Sequence, residues 1–367
     1  MSKCVVLKWS VFLLLMCLLA SCGFPGLVST SAHLPQVSQA PQATPLPPIR
    51  FPQDEGAHND LTEWWYYTGH LDALAPDGGQ HHYGFELVIF RALRSDLPPV
   101  YAAHFAVSDI TRDQFHYDQR QLISASSPIP TGTSARGIDV RVGDWAVRGV
   151  GGHDQVAAQM KDYTISLDLR GLKPASLHNG NGIITFGLGG FSYYYSRTRM
   201  TVSGTMLDHD RLLQVTGQAW MDHQWGNFLT LGGGGWDWFS IQLSNNAEIM
   251  LYFIRDGAGK IISTYADYID VHDRNILIPQ SAIRIAVQGR WISPSTGISY
   301  PSGWHLELND PHLQMLLQIT PQLKNQELVT FNSTGNVYWE GAVTIQGQGN
   351  SAAIAGQGYV ELTGYTK

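Results

Sequence analysis

The sequence predicts an all-β protein made of two β-barrel units in tandem, and three observations lead there. Apolar residues recur at every second position along many short stretches, while no long amphipathic helix is found. Glycine is abundant at 38 residues, aromatics make up 11% and charged residues only 14%, a balance that suits short strands joined by tight turns. Late in the first half, Gly217-Gln218-Ala219-Trp220-Met221-Asp222 is echoed by Gly356-Gln357-Gly358-Tyr359-Val360-Glu361 near the end of the second. Repetition of one barrel unit is the simplest account of that echo. Chance likeness between glycine-rich strands is the competing one.

In chain order the first element is an export leader. Lys3 and Lys8 come first, an apolar run follows from Val11 to Ala20, and Leu19-Ala20-Ser21-Cys22 closes it, the order of a bacterial secretory signal with a lipidation box. Residues 1–22 are expected to be a lipoprotein signal peptide, with lipid on Cys22, because the run is shorter than the ~20 residues of a spanning helix. Cys4 and Cys17 lie inside that leader, so no internal disulfide is left to staple the fold. Residues 23–50 hold six prolines and no acid, a composition that predicts an extended tether. The address implied is the bacterial cell envelope, exported and held at the membrane by the N-terminal lipid. The absence of Asp after Cys22 favours the outer membrane in a cell with two. The formal net charge is −7, so nucleic acid is excluded as a partner, since its phosphates must be met by Lys and Arg.

Strands are predicted from the alternation at Tyr83–Phe90, Tyr101–Ser108, Tyr163–Leu169, Phe191–Val202, Leu213–Met221, Trp236–Leu243, Ile249–Ile254, Ile283–Val287, Trp304–Leu308, Leu313–Ile319, Val337–Ile345 and Tyr359–Leu362. With the Gly232 to Gly235 run near the joint, the two units are expected at residues 51–228 and 229–367.

Chemistry concentrates in a few segments. Glu63-Trp64-Trp65-Tyr66-Tyr67 carries four consecutive aromatics, which cannot all face one core because alternate side chains of a strand go to opposite faces. Some must line a cavity or an interface, or else plug a barrel end. Asp222-His223, between Trp220 and Trp225 and followed by Trp236-Asp237-Trp238, could transfer protons, since apolar surroundings raise a carboxyl pKa. As strand neighbours the two point apart, so joint action needs a turn at Gly226-Asn227; the plainer reading is a structural Asp. His104 sits on a small-residue face with Ala102, Ala106 and Ser108, which leaves room for a ligand or a merely structural histidine. Tyr194 and Arg197 add a hydroxyl and a cation, and a buried Arg197 would need Glu63 or Asp237 as partner. No metal site is read, because His81-His82 point apart and no His-Glu-x-x-His occurs. No Gly-x-Ser-x-Gly elbow and no phosphate loop are present either.

Taken together, Glu63-Trp64-Trp65-Tyr66 with Gly69-His70-Leu71, His104-Phe105-Ala106, Tyr194-Tyr195-Ser196, Asp222-His223-Gln224-Trp225-Gly226 with Trp236-Asp237-Trp238, and Tyr338-Trp339-Glu340-Gly341-Ala342 with Gly358-Tyr359-Val360-Glu361 resemble the carotenoid 1,2-hydratase / AttH-like family. The likeness spans Phe51 to Lys367 and implies two lipocalin-like β-barrel domains. It implies varied activities: hydratases that add water to a terminal isoprenoid double bond, fungal relatives that guide cycloadditions, and bacterial lipoproteins labelled secreted hydrolases. Two functions follow as expectations. One is a cofactor-free enzyme acting on an apolar, isoprenoid or lipid-like molecule by acid-catalysed hydration or hydrolysis. In it Asp222 or Asp237 gives the proton, His223 or His104 orients water, and Glu63, Trp64, Trp65, Tyr67, Tyr194, Arg197, Trp225, Trp236 and Trp238 shape the ligand site. The other is a lipophile carrier working with an export permease of the ABC type. A carrier would show a cavity lined by Trp, Tyr and small residues with Asp222 and Asp237 tied up in structural hydrogen bonds, whereas an enzyme would keep one carboxyl facing the cavity with a raised pKa.

Overall fold

The computed structural model describes residues 46–75, 78–94, 97–123, 137–228, 234–311 and 313–367. The leader, Cys22 and most of the tether lie outside the described residues. The first half supplies β1 (Thr62–Leu74), β2 (Gln80–Ala92), β3 (Val100–Asp109), β4 (Gln114–Ile123), β5 (Ile138–Val142), β6 (Trp145–Val150), β7 (His153–Gln159), β8 (Tyr163–Gly171), β9 (Ser176–Leu177), β10 (Ile183–Thr185), β11 (Phe191–Asp208) and β12 (Arg211–Gly226). These form one antiparallel sheet in the order β4-β3-β2-β1-β12-β11-β8-β7-β6-β5. It curls until its end strands approach: Arg120 of β4 pairs with Asp144 in the β5–β6 turn and lies 4.3 Å over the Trp145 ring.

The second half supplies β13 (Gly235–Leu243), β14 (Glu248–Arg255), β15 (Ile261–Ile269), β16 (Asn275–Leu277), β17 (Ile283–Val287), β18 (Arg290–Ile292), β19 (Ser299–Pro301), β20 (Trp304–Asp310), β21 (Leu313–Pro321), β22 (Glu327–Thr330), β23 (Asn336–Gly349) and β24 (Ala352–Leu362). Its main sheet runs β16-β15-β14-β13-β24-β23-β21-β20-β17. The series β4-β3-β2-β1-β12-β11 is thus repeated as β16-β15-β14-β13-β24-β23. The sequence echo falls on β12 and β24, which hold equivalent places. All twelve strands predicted from the alternation lie within observed ones.

Alternation assigns each strand two jobs. Trp65, Tyr67, Phe85, Leu87 and Ile89 fill the first barrel, and Phe239, Ile241, Trp304, Leu306 and Trp339 fill the second. The opposite faces of the same central strands do not meet water. Trp64, Tyr66, Val88, Tyr194, Trp220, Trp238, Tyr252 and Tyr359 form a third apolar cluster between the two sheets. Each ring so buried stabilises by about 1.5–3 kcal/mol, which is why the central strands read as nearly continuous apolar runs instead of alternating with polar residues.

One irregularity ties the units together. The pairing of β11 with β12 slips between Arg197 and Met200, and such a slip re-aims side chains. Arg197 and Met200 both face into the first barrel, where Arg197 pairs with Glu55. Between them, Thr198 and Arg199 reach the second unit. Arg199 Nε donates to Glu248 Oε1 over 2.5 Å, and Lys173 Nζ stands 3.0 Å from Glu248 Oε2. All three side chains are buried.

Candidate active site between the barrels

A cleft opens between the sheets, with an outer cavity of about 680 Å³ walled by Phe90, His104, Trp236, Ile298, Val337, Tyr338, Glu361 and Tyr365 among others. That size suits a drug-sized apolar ligand. Behind it lies an inner chamber of about 30 Å³ between Trp64, Tyr66, Glu86, Tyr194, Asp222, Trp236, Trp238 and Glu361. Phe90, Trp236 and Glu361 line both. The inner chamber has room for a water molecule and polar partners to hold one.

Three carboxyls line these chambers from three strands, Glu86, Asp222 and Glu361, and a fourth, Glu340, lines neither but is bonded to the lining residue Tyr66. Tyr66 Oη donates to Glu340 Oε1 over 2.7 Å, Tyr338 Oη to Glu86 Oε1 over 2.9 Å, and Trp236 Nε1 to Glu361 Oε2 over 2.7 Å. Asp222 accepts from Tyr194 Oη at 2.6 Å, from Trp220 Nε1 at 2.6 Å and from Ser196 Oγ. The remaining oxygens Glu86 Oε2 and Glu340 Oε2 have no hydrogen-bond partner. Burial away from water is the first cause acting on each group. It pushes Glu86 up to about 8 and Glu361 to about 7, lifts Glu340 well above the carboxylate range, and raises Asp222. Charges on neighbouring acids push the same way: Glu361 acts on Glu86 and Asp222 on Glu361. At neutral pH the cleft therefore holds protonated carboxylic acids among aromatic rings. Among the described residues no Lys or Arg bonds to Glu86, Glu340 or Glu361, and only the neutral donors Tyr338, Tyr66 and Trp236 favour their ionised forms.

The sequence-derived site divides along the faces of the strands. Trp64, Tyr194, Asp222, Trp236 and Trp238 line the inner chamber and His104 the outer cavity. His104 Nδ1 is 2.6 Å from Tyr338 Oη, and burial depresses its pKa to about 3, so the imidazole is neutral. The space expected beside Ala106 and Ser108 is filled by the second unit: Leu328 and Tyr338 pack on Ala106, and Ser108 bonds Gln326. Five residues belong elsewhere. Trp65, Tyr67 and Trp225 sit in the first barrel's core, because they occupy the opposite phase from Trp64 and Tyr66. His223 also points inward, since β12 continues to Gly226 without the turn that joint action with Asp222 required. Arg197 pairs with neither Glu63 nor Asp237 but with Glu55.

Glu63 and Asp237 likewise line neither chamber. Glu63 accepts from the His58 backbone N–H at 2.9 Å, stands 2.8 Å from His58 Nδ1 and 3.0 Å from His223 Nε2, and pairs with Arg91 at 3.5 Å. His58, Glu63 and His223 have the spacing of a metal site. The carboxylate, however, is surrounded by donors, a guanidinium included, and His58 is pushed up to about 9 by Asp54 and Glu63 in spite of its burial. This is an ion-pair knot closing the barrel end. Asp237 bonds Arg255 Nε at 3.2 Å and Tyr365 Oη at 3.0 Å on the face of β13 away from the chamber. Asp237→Asn is expected to cost about 1 kcal/mol or less of stability, as a partly exposed pair does, and to leave ligand turnover unchanged. A tenfold loss of turnover with the fold intact would return Asp237 to the site.

Glu86, Glu340, Glu361, Tyr66 and Tyr338 were missed as site residues. A signal existed. A strand face turned to water alternates polar residues, yet Glu86 lies between Gly84 and Val88, Glu340 between Tyr338 and Ala342, and Glu361 two positions after Tyr359. An isolated acid in an otherwise apolar phase marks a face that is covered.

The family model described as AttH-like matches residues 42–365. No curated protein matches the chain. Among solved structures, an AttH from Nitrosomonas europaea is 31% identical with a TM-score of 0.76, covering 88% of this chain and 99% of that one. Kievitone hydratase from Nectria haematococca is 18% identical with a TM-score of 0.67, covering 86% and 93%, and shares the fold.

Proposed function

Because this chain belongs to the AttH-like family and walls an apolar cleft with protonated acids, we propose that it adds water to, or hydrolyses, an apolar small molecule of isoprenoid or lipid-like character by acid catalysis. The observation that carries this reading is Glu361. Among the described residues it is the one acid that lines both chambers and Trp236 is its one side-chain hydrogen-bond donor, and its pKa of about 7 suits a group that must give and regain a proton near neutrality. Asp222 and Asp237 are tied up in hydrogen bonds, the sign expected of a carrier, whereas Glu361 is a carboxyl that faces the cavity with a raised pKa, the sign expected of an enzyme.

The chemistry follows from placement. An alkene lying in the outer cavity with its double bond at the Phe90–Trp236 neck receives the Glu361 proton on carbon. The tertiary cation then faces the rings of Trp236 and Trp64, which are stacked at 6.2 Å, and Trp238, and the electron-rich ring faces stabilise it. A water in the inner chamber attacks from the side of Asp222, which burial raises above the usual carboxylate range and which in its ionised form takes the water's proton. Addition of water is the chemistry named in kievitone hydratase, which has this fold. We place the reaction outside the cytoplasm, on a body tethered through lipid at Cys22, as the leader's residue order suggests.

The test uses a prenylated phenol, a linear isoprenoid and a fatty-acyl ester as probes in ¹⁸O-water. Gain of one water with ¹⁸O in a tertiary alcohol supports hydration, and ¹⁸O in a released acid supports hydrolysis. Probes that bind and come back unchanged would replace this reading with the carrier.

A further inference from the structure

Behind Asp222 runs a line of buried polar side chains that the cleft chemistry above does not use. Ser196 Oγ, paired in register with Asp222 on β11, bonds Asp222 Oδ1. His178 Nε2, in the turn after β9, is 2.5 Å from the same Ser196 Oγ, and His178 Nδ1 is 2.9 Å from Asp267 Oδ2 on β15. Ser196, His178 and Asp267 are 0% exposed and Asp222 is 4% exposed. The line therefore crosses from the second unit into the first without meeting solvent. The order Ser, His, Asp is that of a nucleophile with its base and orienter. Here, however, Ser196 lines neither chamber and its hydroxyl lies against a carboxylate, so no acyl group can reach it.

Hydrogen-bond counting points to another use. A serine hydroxyl has one proton to donate. If Ser196 donates to Asp222, then His178 Nε2 must carry a proton and donate to Ser196. With Nδ1–H directed at Asp267, His178 is then an imidazolium balanced by the Asp267 carboxylate. If Ser196 instead donates to a bare His178 Nε2, Asp222 must be protonated and donate to Ser196. The two arrangements have the same total charge and both satisfy every hydrogen bond of the line. They differ by the position of one proton.

We propose that Asp267, His178 and Ser196 form a proton relay serving Asp222. Before water attacks, the proton of Asp222 passes inward: the Asp222 O–H breaks as a new Ser196 O–H forms, and the old Ser196 O–H breaks as His178 Nε2–H forms. Asp222 is left as the carboxylate that takes the water's proton and hands it on to the Glu361 carboxylate. The imidazolium rests against Asp267, and the reverse shift returns the proton. Asp222 touches the chamber, while the other three act through it as positioning residues. This rests on the acid–base reading of the cleft, but the relay itself can be observed without substrate. The groups that face its two ends are few. Tyr194, Trp220 and Ser196 bond Asp222, with Tyr252, Glu340 and Glu361 in electrostatic reach. His178 meets Asp267, Ser196, the charge of Asp222 and the ring of Tyr194 at 4.1 Å.

The experiment is NMR of the full chain labelled with ¹⁵N in histidine rings and ¹³C in aspartate carboxyls, over a pH series. In the wild type His178 Nε2 and the Asp222 carboxyl should report the same macroscopic steps, as coupled sites do. Ser196→Ala should separate the two responses, Ser196→Thr, which keeps the hydroxyl, should restore them, and Asp222→Asn should shift His178 Nε2. Responses that share no step in the wild type, or a His178 Nε2 resonance indifferent to both Ser196→Ala and Asp222→Asn, overturn the relay. The wild-type series alone decides if a variant fails to fold. A coupled response with no probe converted keeps the relay and removes the hydratase reading, and conversion without coupling does the opposite.

Discussion

Replacing Glu361 with Gln is expected to lower turnover of a converted alkene probe by about 10²–10⁴-fold, the contribution of a positioned general acid, with the loss falling on kcat and little on KM. The amide has the shape of the acid and its oxygen can still accept from Trp236 Nε1, so the walls of the cleft should hold; what disappears is the proton delivered to carbon. The pH dependence carries the same signature. Wild-type turnover should fall as pH rises through about 7, where Glu361 gives up its proton, and the variant's residual rate should lose that limb. Stability provides an independent reading. A carboxyl whose pKa is raised on folding favours the folded state only while it is protonated, and that contribution is lost as pH rises through the folded value. Wild type should therefore weaken as pH rises from the ordinary glutamate value of 4.5 to about 7, with Glu86 extending the decline to about 8, and Glu361→Gln should weaken less. A variant with undiminished kcat would remove Glu361 from the mechanism.

Glu248→Ala is expected to cost about 3–5 kcal/mol, because it removes the carboxylate partner of the buried Arg199. Arg199 would face an empty carboxylate position inside the joint between the units, while Lys173 would keep Asp273 at 3.4 Å. Arg199 would keep Gln218 Oε1 at 2.8 Å and the Leu243 carbonyl at 2.9 Å, which holds the side chain in place without neutralising it. Urea unfolding monitored by tryptophan fluorescence checks this. A loss below about 1 kcal/mol, the size of an exposed pair, would show that water reaches the joint and that the clamp is weak.

Much of the fold was legible because a strand's period is local: two positions suffice to tell a core-facing residue from its neighbour. That made Phe85, Leu87 and Ile89 readable as one face. It also made it certain that Glu63-Trp64-Trp65-Tyr66-Tyr67 would split, as it does, with Trp65 and Tyr67 in the barrel and Trp64 and Tyr66 in the joint. Which face of a two-sided strand meets the ligand is not a local property. It depends on what covers the outer face, and so Trp65, Tyr67, Trp225 and His223 were placed in the site while Glu86, Glu340 and Glu361 were passed over. The family motifs hold both sets and do not sort them. Asp237 was drawn in by the indoles on either side of it, although alternation alone sends it away from Trp236 and Trp238. Arg199, and its escape from strict alternation through the slip in β11, had no sequence signature to separate it from Arg197.

The repeated strand order carries a consequence for the molecule as a whole. Two like halves meeting face to face present each other with matching positions, so Asp222 of β12 and Glu361 of β24 are counterparts across the joint. A pair of separate identical subunits would be obliged to place the same acid twice. Continuity of the chain releases that obligation: one counterpart lies against a hydroxyl and a histidine, the other opens toward the ligand. Neither half could be sent out by itself, for the surface that makes the cleft would then be a sheet of indoles, phenols and carboxyls in water, a surface made for adhesion. The asymmetry of the two acids and the inseparability of the halves are thus one property seen from two sides.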